Sequence, residues 1–139
     1  MNTRPAAYRG KISVIIPCYN EERVLPETAR RVVKEISHYK DYEILFINDG
    51  SRDRTPEILD ELAKKNRRIR VLHFSRNFGH QSAVTAGLHA AKGKIAMVID
   101  ADLQDPPELF HDMIRRHLEG NFQVVYCVRK VRKGESFLR

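Results

Sequence analysis

The sequence has few cysteines and no long apolar run, and both absences exclude classes of protein. Only two of its 139 residues are cysteine, Cys18 and Cys127, and neither lies in a C-x-x-C motif, which excludes a disulfide framework. Both lie within apolar runs, so we expect buried thiols in a reducing compartment. No apolar run approaches the ~18 residues that a membrane-spanning helix requires. The polar residues 1–10 lack the apolar segment of a secretory signal.

The glycine motifs that bind nucleotide phosphates are absent as well. Neither G-x-G-x-x-G nor G-x-x-x-x-G-K-[ST] occurs, and the first predicted strand runs into P-C-Y-N-E-E at 17–22 without a glycine. The six histidines show neither H-x-x-x-H nor H-E-x-x-H spacing, and we assign none of them a role. If the protein binds a nucleotide, side chains and a metal ion must hold its phosphates.

Positive charge is in excess. The chain has 25 Lys and Arg against 18 Asp and Glu, which gives a formal net charge of +7. This balance suits an anionic partner, whether nucleotide phosphates, nucleic acid or an acidic membrane surface, and does not choose among them. The basic run K-K-N-R-R-I-R at 64–70 lacks interleaved aromatic residues, so we interpret it as a solvated helix end and loop.

Strand-like and helix-like segments alternate along the chain. Apolar, β-branched runs predict five strands, at 12–16, 42–47, 69–74, 95–99 and 122–128. Helical spacing predicts four helices, at 21–39, from 56 with Thr55 as the cap, at 81–91 and at 106–118. This alternation predicts an α/β fold, a mostly parallel sheet with helices on both faces. Residues 1–10 would be an N-terminal tail, and residues 11–139 a domain that we expect to be incomplete at its C-terminus.

Small residues recur every four positions in the third predicted helix or at its entry. They are Gly79, Ala83 and Gly87, which would share one helix face. Such a face lets the helix approach the sheet or a ligand closely, and close packing is the simpler explanation. Because ligands of parallel sheets bind beyond the carboxyl ends of the strands, the residues that follow each strand are the candidates for function.

Two carboxylates, those of Asp100 and Asp102, follow the fourth predicted strand. Period-two alternation points both to the same side, and Gln104 could add a third oxygen. An oxygen-only set favours Mg²⁺ or Mn²⁺ over zinc, and such a cation usually needs a substrate diphosphate and waters to complete its octahedron. The alternative is that the acids cap the helix at Pro106, a position for which Asp105 is better placed. Adjacent acids repel unless a cation intervenes, which favours the metal.

Three residues that follow the first two strands are candidates for nucleoside binding. Asp49 could accept hydrogen bonds from a base or ribose, although Asp-Gly-Ser at 49–51 also suits an Asx turn, the stronger interpretation from these residues alone. Tyr19 offers a ring and a hydroxyl, and Glu21 offers an acceptor. Their alternative roles are packing and charge complementarity at a helix N-terminus.

Four of these strand-end segments together resemble glycosyltransferase family 2. They are I-I-P-C-Y-N-E-E at 15–22, I-N-D-G-S at 47–51, R-N-F-G-H-Q-x-A-x-x-A-G at 76–87 and D-A-D-L-Q-D-P-P-E at 100–108. The last is highly specific and is similar to the branch that contains dolichyl-phosphate mannose synthases and bacterial undecaprenyl-phosphate glucosyl- or aminoarabinosyl-transferases. The resemblance covers essentially residues 11–139.

The resemblance implies a GT-A fold and a nucleotide-diphosphate-sugar donor. By position, it assigns the nucleoside pocket to Pro17, Tyr19 and Glu21, and contact with the base to Asp49. It also implies a group that faces the donor diphosphate: Asp100, Asp102 and Gln104 as ligands of Mg²⁺ or Mn²⁺, and Arg129 near the phosphates.

The resemblance further implies an inverting enzyme whose acceptor is a polyprenyl phosphate, with an anionic oxygen that attacks directly. It names no catalytic base within this chain. Acceptor-binding residues and membrane attachment are expected in the missing C-terminal region, which would place the full-length protein on the cytoplasmic face of a membrane and leave the fragment itself soluble.

Two alternatives stay open at this point. A family 2 transferase with a saccharide acceptor would carry the same donor motifs. A non-catalytic module that binds nucleic acid is suggested by the net charge of +7 and the basic run at 64–70. Basic charge alone is non-specific evidence, so we expect no nucleic-acid partner.

Overall fold

A parallel sheet flanked by helices forms the part of the chain described by the computed structural model, residues 4–129. Its strands are β1 (Ile12–Cys18), β2 (Tyr42–Asn48), β3 (Ile69–His73) and β4 (Ile95–Val98). Its helices are α1 (Leu25–Ile36), α2 (Thr55–Lys65), α3 (His80–Ala90) and α4 (Leu109–Gly120). The strand order is β3-β2-β1-β4 and every pair is parallel, which confirms the predicted α/β architecture. None of these helices is long and apolar enough to cross a bilayer.

The two central strands, β1 and β2, are buried along their whole length. Alternate residues of β1 face opposite sides of the sheet, as the period of two requires. Val14 and Ile16 belong to the larger apolar cluster, which includes Leu25 and Val32 of α1. Ile15 belongs to a smaller cluster that contains Ala83 of α3. Helices therefore cover both faces of the sheet, as predicted for strands that read as continuous apolar runs.

Helix α3 lies close against the sheet because it carries small residues. A Cβ atom added at Gly87 would lie 2.3 Å from Cγ2 of Ile15, and Ala83 is fully buried. The predicted close packing is thus confirmed for these two residues. Gly79 serves a different purpose, since nothing lies within 4 Å of its added Cβ and its φ is +103°. Its position needs the conformational freedom of glycine at the entry to α3.

Pro17 does not end the first strand as predicted, because β1 continues through it to Cys18. The carbonyl of Ile15 accepts a hydrogen bond from the amide of Ile99, so the backbone N–H and C=O groups of odd-numbered residues in β1 point toward β4. The pairing with β4 ends at Ile15, opposite Val98. Pro17 therefore stands where no neighbour needs its missing N–H, and a proline at a locally unpaired edge is tolerated.

The predicted fifth strand, at 122–128, is absent from the described residues. Val124, Tyr126 and Val128 are 73–78% exposed, and Cys127 is exposed rather than buried as predicted. Within the described residues the sheet ends at β4, and this segment, β4 and α4 line a cavity of about 1010 Å³. Apolar, β-branched character produces a strand only when a neighbouring backbone pairs with it. The other cysteine, Cys18, is buried as predicted, and burial raises the pKa of its thiol.

Substitution of Gly87 by alanine tests the contact between α3 and the sheet. We expect Gly87→Ala to lower the free energy of unfolding by about 1–3 kcal/mol, because the new methyl group would overlap Ile15. Urea denaturation of the full-length protein measures the effect. Thr85→Ala, at an exposed position of the same helix, is the control and should change stability by less than about 0.5 kcal/mol. A Gly87→Ala protein as stable as the control would contradict the packing described here.

Candidate functional site

All four strands are parallel, so their carboxyl ends meet at one edge of the sheet. The candidate residues chosen from the sequence follow β1, β2 and β4 and therefore lie at this edge, where ligands of α/β sheets bind. Pro17 is itself part of β1 and pairs with Ile47. Arg129, at the end of the described chain, reaches the same edge through contacts with the loop that follows β4.

Hydrogen bonds between side chains and backbone join the loops that follow β1 and β2. Asn20 accepts from the amide of Arg52 at 2.8 Å, and its own amide donates to Oγ of Ser51 at 2.9 Å. The φ of Asn20 is +52°, a left-handed conformation that asparagine tolerates better than most residues. The amide of Glu21 donates to Oγ1 of Thr55 at 2.9 Å. Thr55, predicted to cap α2, is instead the first residue of that helix and holds the β1 loop in place.

The carboxylate of Asp49 is buried and accepts hydrogen bonds from the loop that precedes α3. The amides of Phe78 and Gly79 donate to its two oxygens at 2.7 and 3.0 Å, and Nδ2 of Asn77 donates at 3.2 Å. Asp49 is 3% exposed. In the structure, these hydrogen bonds anchor the loop beside the end of β2. The expectation from the sequence that Asp49 contacts a base stays a prediction.

Tyr19 lies at a cavity of about 530 Å³ beside the end of β2. The tyrosine side chain is exposed at the surface. The cavity is also lined by Gly50 and by two arginines, Arg52 and Arg76, which bring positive charge to it. An accessible ring beside cationic groups suits a planar base attached to phosphates.

The segment after β4 places its two carboxylates on the accessible side. Ile99 and Ala101 are buried, whereas Asp100 is partly exposed and Asp102 is exposed, so the alternation expected of a strand continues past Val98. Oγ1 of Thr28 in α1 donates to the carbonyl of Ala101 at 2.5 Å, and this hydrogen bond ties the segment to α1.

The turn after Asp102 bends sharply. Leu103 has a φ of +60°, and Oδ1 of Asp102 accepts the amide of Gln104 at 3.0 Å. A non-glycine residue at this φ carries backbone strain, which is often stored at functional sites. The bend keeps the carboxylates of Asp100 and Asp102 out of α4, so they do not cap that helix, whose N-cap is Glu108 without a side-chain hydrogen bond.

Arg129 is held by the same loop. Its guanidinium donates to both oxygens of Asp105, at 2.9 and 2.8 Å, and to Oε1 of Gln104 at 2.8 Å. The oxygen of Gln104 that we predicted as a metal ligand therefore faces Arg129. Asp105, predicted as the better helix cap, is instead the bidentate partner of this arginine, a strong and directional pairing.

Negative charge accumulates between the loops that follow β1 and β4. Partial burial raises the pKa of Glu21 above its ordinary value, and the charges of Asp102, Asp53 and Asp100 raise it further. The hydrogen bond to Asp105 raises the pKa of Arg129, and the charges of Asp105, Asp102 and Asp100 add to the effect. The carboxylates that follow β1 and β4 thus repel one another across the space between the two loops, and a cation placed among them would relieve this repulsion.

The donor set at this edge fits a hard divalent cation. Asp100 and Asp102 offer carboxylate oxygens that are accessible to solvent. Within residues 4–129 they form no compact group of three His, Cys, Asp or Glu ligands, so most of an octahedral shell would come from phosphate oxygens and water. Mg²⁺ and Mn²⁺ are commonly bound in this way.

Sequence reasoning gave no role to His80, whose Nε2 lies 3.8 Å from Oδ1 of Asp100. It also missed Asn20 and Asp53, which join the loops after β1 and β2. The signal for Asn20 was its residue type, since asparagine is favoured in left-handed turns. The contact of His80 with Asp100 had no signal in the sequence, because it depends on how α3 packs against the sheet.

Removal of one neighbouring charge tests the electrostatic coupling. We expect Asp102→Asn to lower the pKa of Glu21 part of the way toward its ordinary value, because burial, the larger cause, remains. Carbon-13 NMR titration of the labelled side-chain carboxyl measures this pKa. Asp105→Asn is the matched control, since Asp105 is not among the charges that raise the pKa of Glu21, and it should leave that pKa unchanged. A pKa of Glu21 that is the same in the Asp102→Asn protein would contradict the coupling.

Curated proteins similar to this chain carry glycosyltransferase names. The Bacillus subtilis protein described as uncharacterized glycosyltransferase YkcC is 52% identical over 128 residues, which are 91% of this chain and 39% of that protein. An undecaprenyl-phosphate 4-deoxy-4-formamido-L-arabinose transferase from Proteus mirabilis is 36% identical over 130 residues, 92% of this chain and 40% of that protein. The chain thus spans about two fifths of the length of these relatives.

Solved structures share the fold. S. aureus TarS in complex with UDP-GlcNAc superposes with a TM-score of 0.64 at 25% identity, over 80% of this chain and 32% of that one. The mannosyltransferase PcManGT from Pyrobaculum calidifontis, in complex with GDP-Man and Mn²⁺, gives a TM-score of 0.59 at 23% identity, over 69% and 28%. The predicted GT-A architecture is confirmed. Since the model of glycosyl transferase family 2 matches residues 13–139, nearly the whole sequence, the chain belongs to glycosyltransferase family 2.

Proposed function

We propose that the full-length protein is an inverting glycosyltransferase that moves a sugar from a nucleotide-diphosphate sugar to a polyprenyl phosphate. The observation that carries the proposal is the accessible pair Asp100 and Asp102 beyond β4, across from Glu21 whose pKa their charges raise. A cleft with this excess of negative charge suits a diphosphate only when a divalent cation lies between the carboxylates and the diphosphate.

The nucleoside of the donor would bind beside the end of β2. Tyr19 would contact the base with its exposed ring, and Pro17 and Glu21 would line the same side. Asp49 would meet the base as the family resemblance implies, or act on it through the loop at 77–79 that its carboxylate holds. Arg52 and Arg76, which line the cavity with Tyr19, would favour the anionic donor.

The donor diphosphate would lie toward the end of β4. Asp100 and Asp102 would hold Mg²⁺ or Mn²⁺, and that cation, when bound, supplies stabilisation of the negative charge that develops on the leaving diphosphate. Arg129 would exchange its contacts with Asp105 and Gln104 for the phosphates and add positive charge at the same place. Groups placed where charge develops lower the barrier more than they stabilise the bound donor.

The proposed acceptor is already an anion, so its oxygen can attack the anomeric carbon with little help from a general base. The proposal draws on the relative whose name includes undecaprenyl phosphate, and on the net charge of +7, which suits an anionic lipid at a membrane surface.

Substitution of the two aspartates tests the metal-linked donor site. We expect Asp100→Asn and Asp102→Asn each to weaken binding of a UDP- or GDP-sugar in the presence of Mn²⁺ by roughly a hundredfold, which corresponds to ~2.7 kcal/mol. Isothermal titration calorimetry on the full-length protein, with and without Mn²⁺, measures the change. Asp41→Asn, an exposed residue before β2 at the other edge of the sheet, is the control and should bind as the unmodified protein does. Donor binding that ignores both Mn²⁺ and the two substitutions would refute the proposed site.

The acceptor is tested separately. Full-length protein, donor sugar and Mn²⁺ are incubated with undecaprenyl phosphate or with an oligosaccharide, the products are identified by mass spectrometry, and their anomeric configuration is determined by NMR. We expect a glycosyl phospholipid whose anomeric configuration is inverted relative to the donor. Transfer to the oligosaccharide alone would overturn the lipid acceptor and leave the donor site intact.

A further inference from the structure

A second group of metal-ligating side chains lies far from the carboxyl ends of the strands. Glu35 is in the last turn of α1, His38 follows that helix, and His111 is near the start of α4. One ligand atom from each side chain lies within 4.8 Å of the other two, and no other group of three His, Cys, Asp or Glu residues among residues 4–129 meets this condition. Helix α1 begins after the carboxyl end of β1 and leads back to the start of β2, so this cluster lies at the opposite edge of the sheet from Asp100 and Asp102.

Two members of the cluster are buried together. Nε2 of His111 lies 2.9 Å from Oε2 of Glu35, and the two side chains are 1% and 10% exposed. A buried carboxylate and imidazole at this distance need a proton or a cation between them. The ring of His38 is exposed and lies edge-on to the ring of His111, with 5.5 Å between centroids. Solvent therefore reaches the cluster on the side of His38.

The other nitrogen of His111 already has the kind of partner that orients a metal ligand. Nδ1 lies 2.9 Å from the hydroxyl of Tyr39, which also accepts the amide of Ala6 at 3.3 Å. Ligating histidines generally hold their second ring nitrogen in a hydrogen bond, which fixes the ring orientation. In the tautomer in which Nδ1–H donates to Tyr39, Nε2 would bind a metal beside Glu35 once the proton between Nε2 and Glu35 has left.

The local charge also favours a cation. Glu35 and His38 stand at the carboxyl end of α1, where the helix dipole is negative, and the carboxylate of Glu35 adds a full negative charge, whereas His111 stands in the first turn of α4, where the dipole is positive. Arg115, whose charge reaches Tyr39, is the opposing positive group, and it is paired with Asp112 at 3.9 Å.

We propose that Glu35, His38 and His111 form a zinc site that joins α1 to α4, with water as the fourth ligand. Two imidazoles and one carboxylate suit zinc better than Mg²⁺, which prefers oxygen ligands. Ligand atoms in tetrahedral zinc sites are about 3.3 Å apart, close to the separation of Glu35 and His111, and the exposed His38 has room to complete the triangle. Binding displaces the proton shared by Nε2 of His111 and Glu35 to solvent.

The site would act on α4 and the loop before it. The pair Arg31–Glu108, at 2.9 Å, already connects α1 to the residue that precedes α4. Zinc would add a second connection one turn further along. Because the loop with Asp100 and Asp102 leads directly into α4, the proposed metal would fix the base of that loop and take no part in sugar transfer.

The test uses zinc ion alone and the full-length protein with Asp100→Asn and Asp102→Asn, so that the proposed donor site does not compete. Isothermal titration calorimetry should show one zinc equivalent, and thermal unfolding should shift upward with zinc and return when a chelator is added. His38→Ala, an exposed substitution that leaves the buried pair intact, should weaken zinc binding at least about tenfold. His89→Ala, an exposed histidine on α3, is the control and should bind zinc as strongly as its parent.

Failure has a distinct form for each proposal. Zinc affinity that is unchanged by His38→Ala, or the absence of one bound equivalent, would overturn the zinc site and leave the proposed glycosyl transfer untouched. Sensitivity of zinc binding to His89→Ala in place of His38→Ala would also overturn it. Donor binding by the unsubstituted protein that does not depend on Mn²⁺, with zinc binding retained, would overturn only the proposed function.

Discussion

The parallel pairing of β1 with β2 on one side and β4 on the other holds every candidate residue of this domain in place. Pairing in one direction brings the ends of three strands to a single edge, so Tyr19, Asp49 and Asp100 share that edge although they are far apart in sequence. The pairing needs buried apolar faces above and below the sheet, which α1 and α3 supply.

The second constraint is the repulsion between carboxylates at the carboxyl edge of the sheet, most of which lie in the loop after β4. Asp100 and Asp102 point away from the core because Ile99 and Ala101 point into it, and Asp105 is neutralised by Arg129. The repulsion that remains is visible at Glu21, on the other side of the cleft. In the proposed reaction, the cation of a metal diphosphate would bind these carboxylates, and its phosphates would compete with Asp105 for Arg129. Donor binding would therefore be coupled to the release of Arg129 from Asp105.

Helix α1 connects the two candidate sites. Near its start, Thr28 donates to the carbonyl of Ala101 and so supports the loop between the two aspartates. Near its end, Glu35 meets His111 of α4. The same rigid helix therefore positions the loop before α4 at one end and α4 itself at the other. The proposed zinc site would strengthen a connection that the buried hydrogen bonds already make.

Local signals in the sequence, namely apolar periodicity, small-residue spacing and strand-end motifs, were enough to predict the alternation of strands and helices, the parallel sheet, the close packing of α3 and the family. Folding alone placed Pro17 within β1, left residues 122–128 without a strand, and brought Gln104 and Asp105 to Arg129. It also decided that Glu35, His38 and His111 meet, since a histidine 73 positions beyond another shows no spacing motif. These outcomes depend on which backbone or side chain lies opposite, and that partner is chosen by packing rather than by neighbours along the chain.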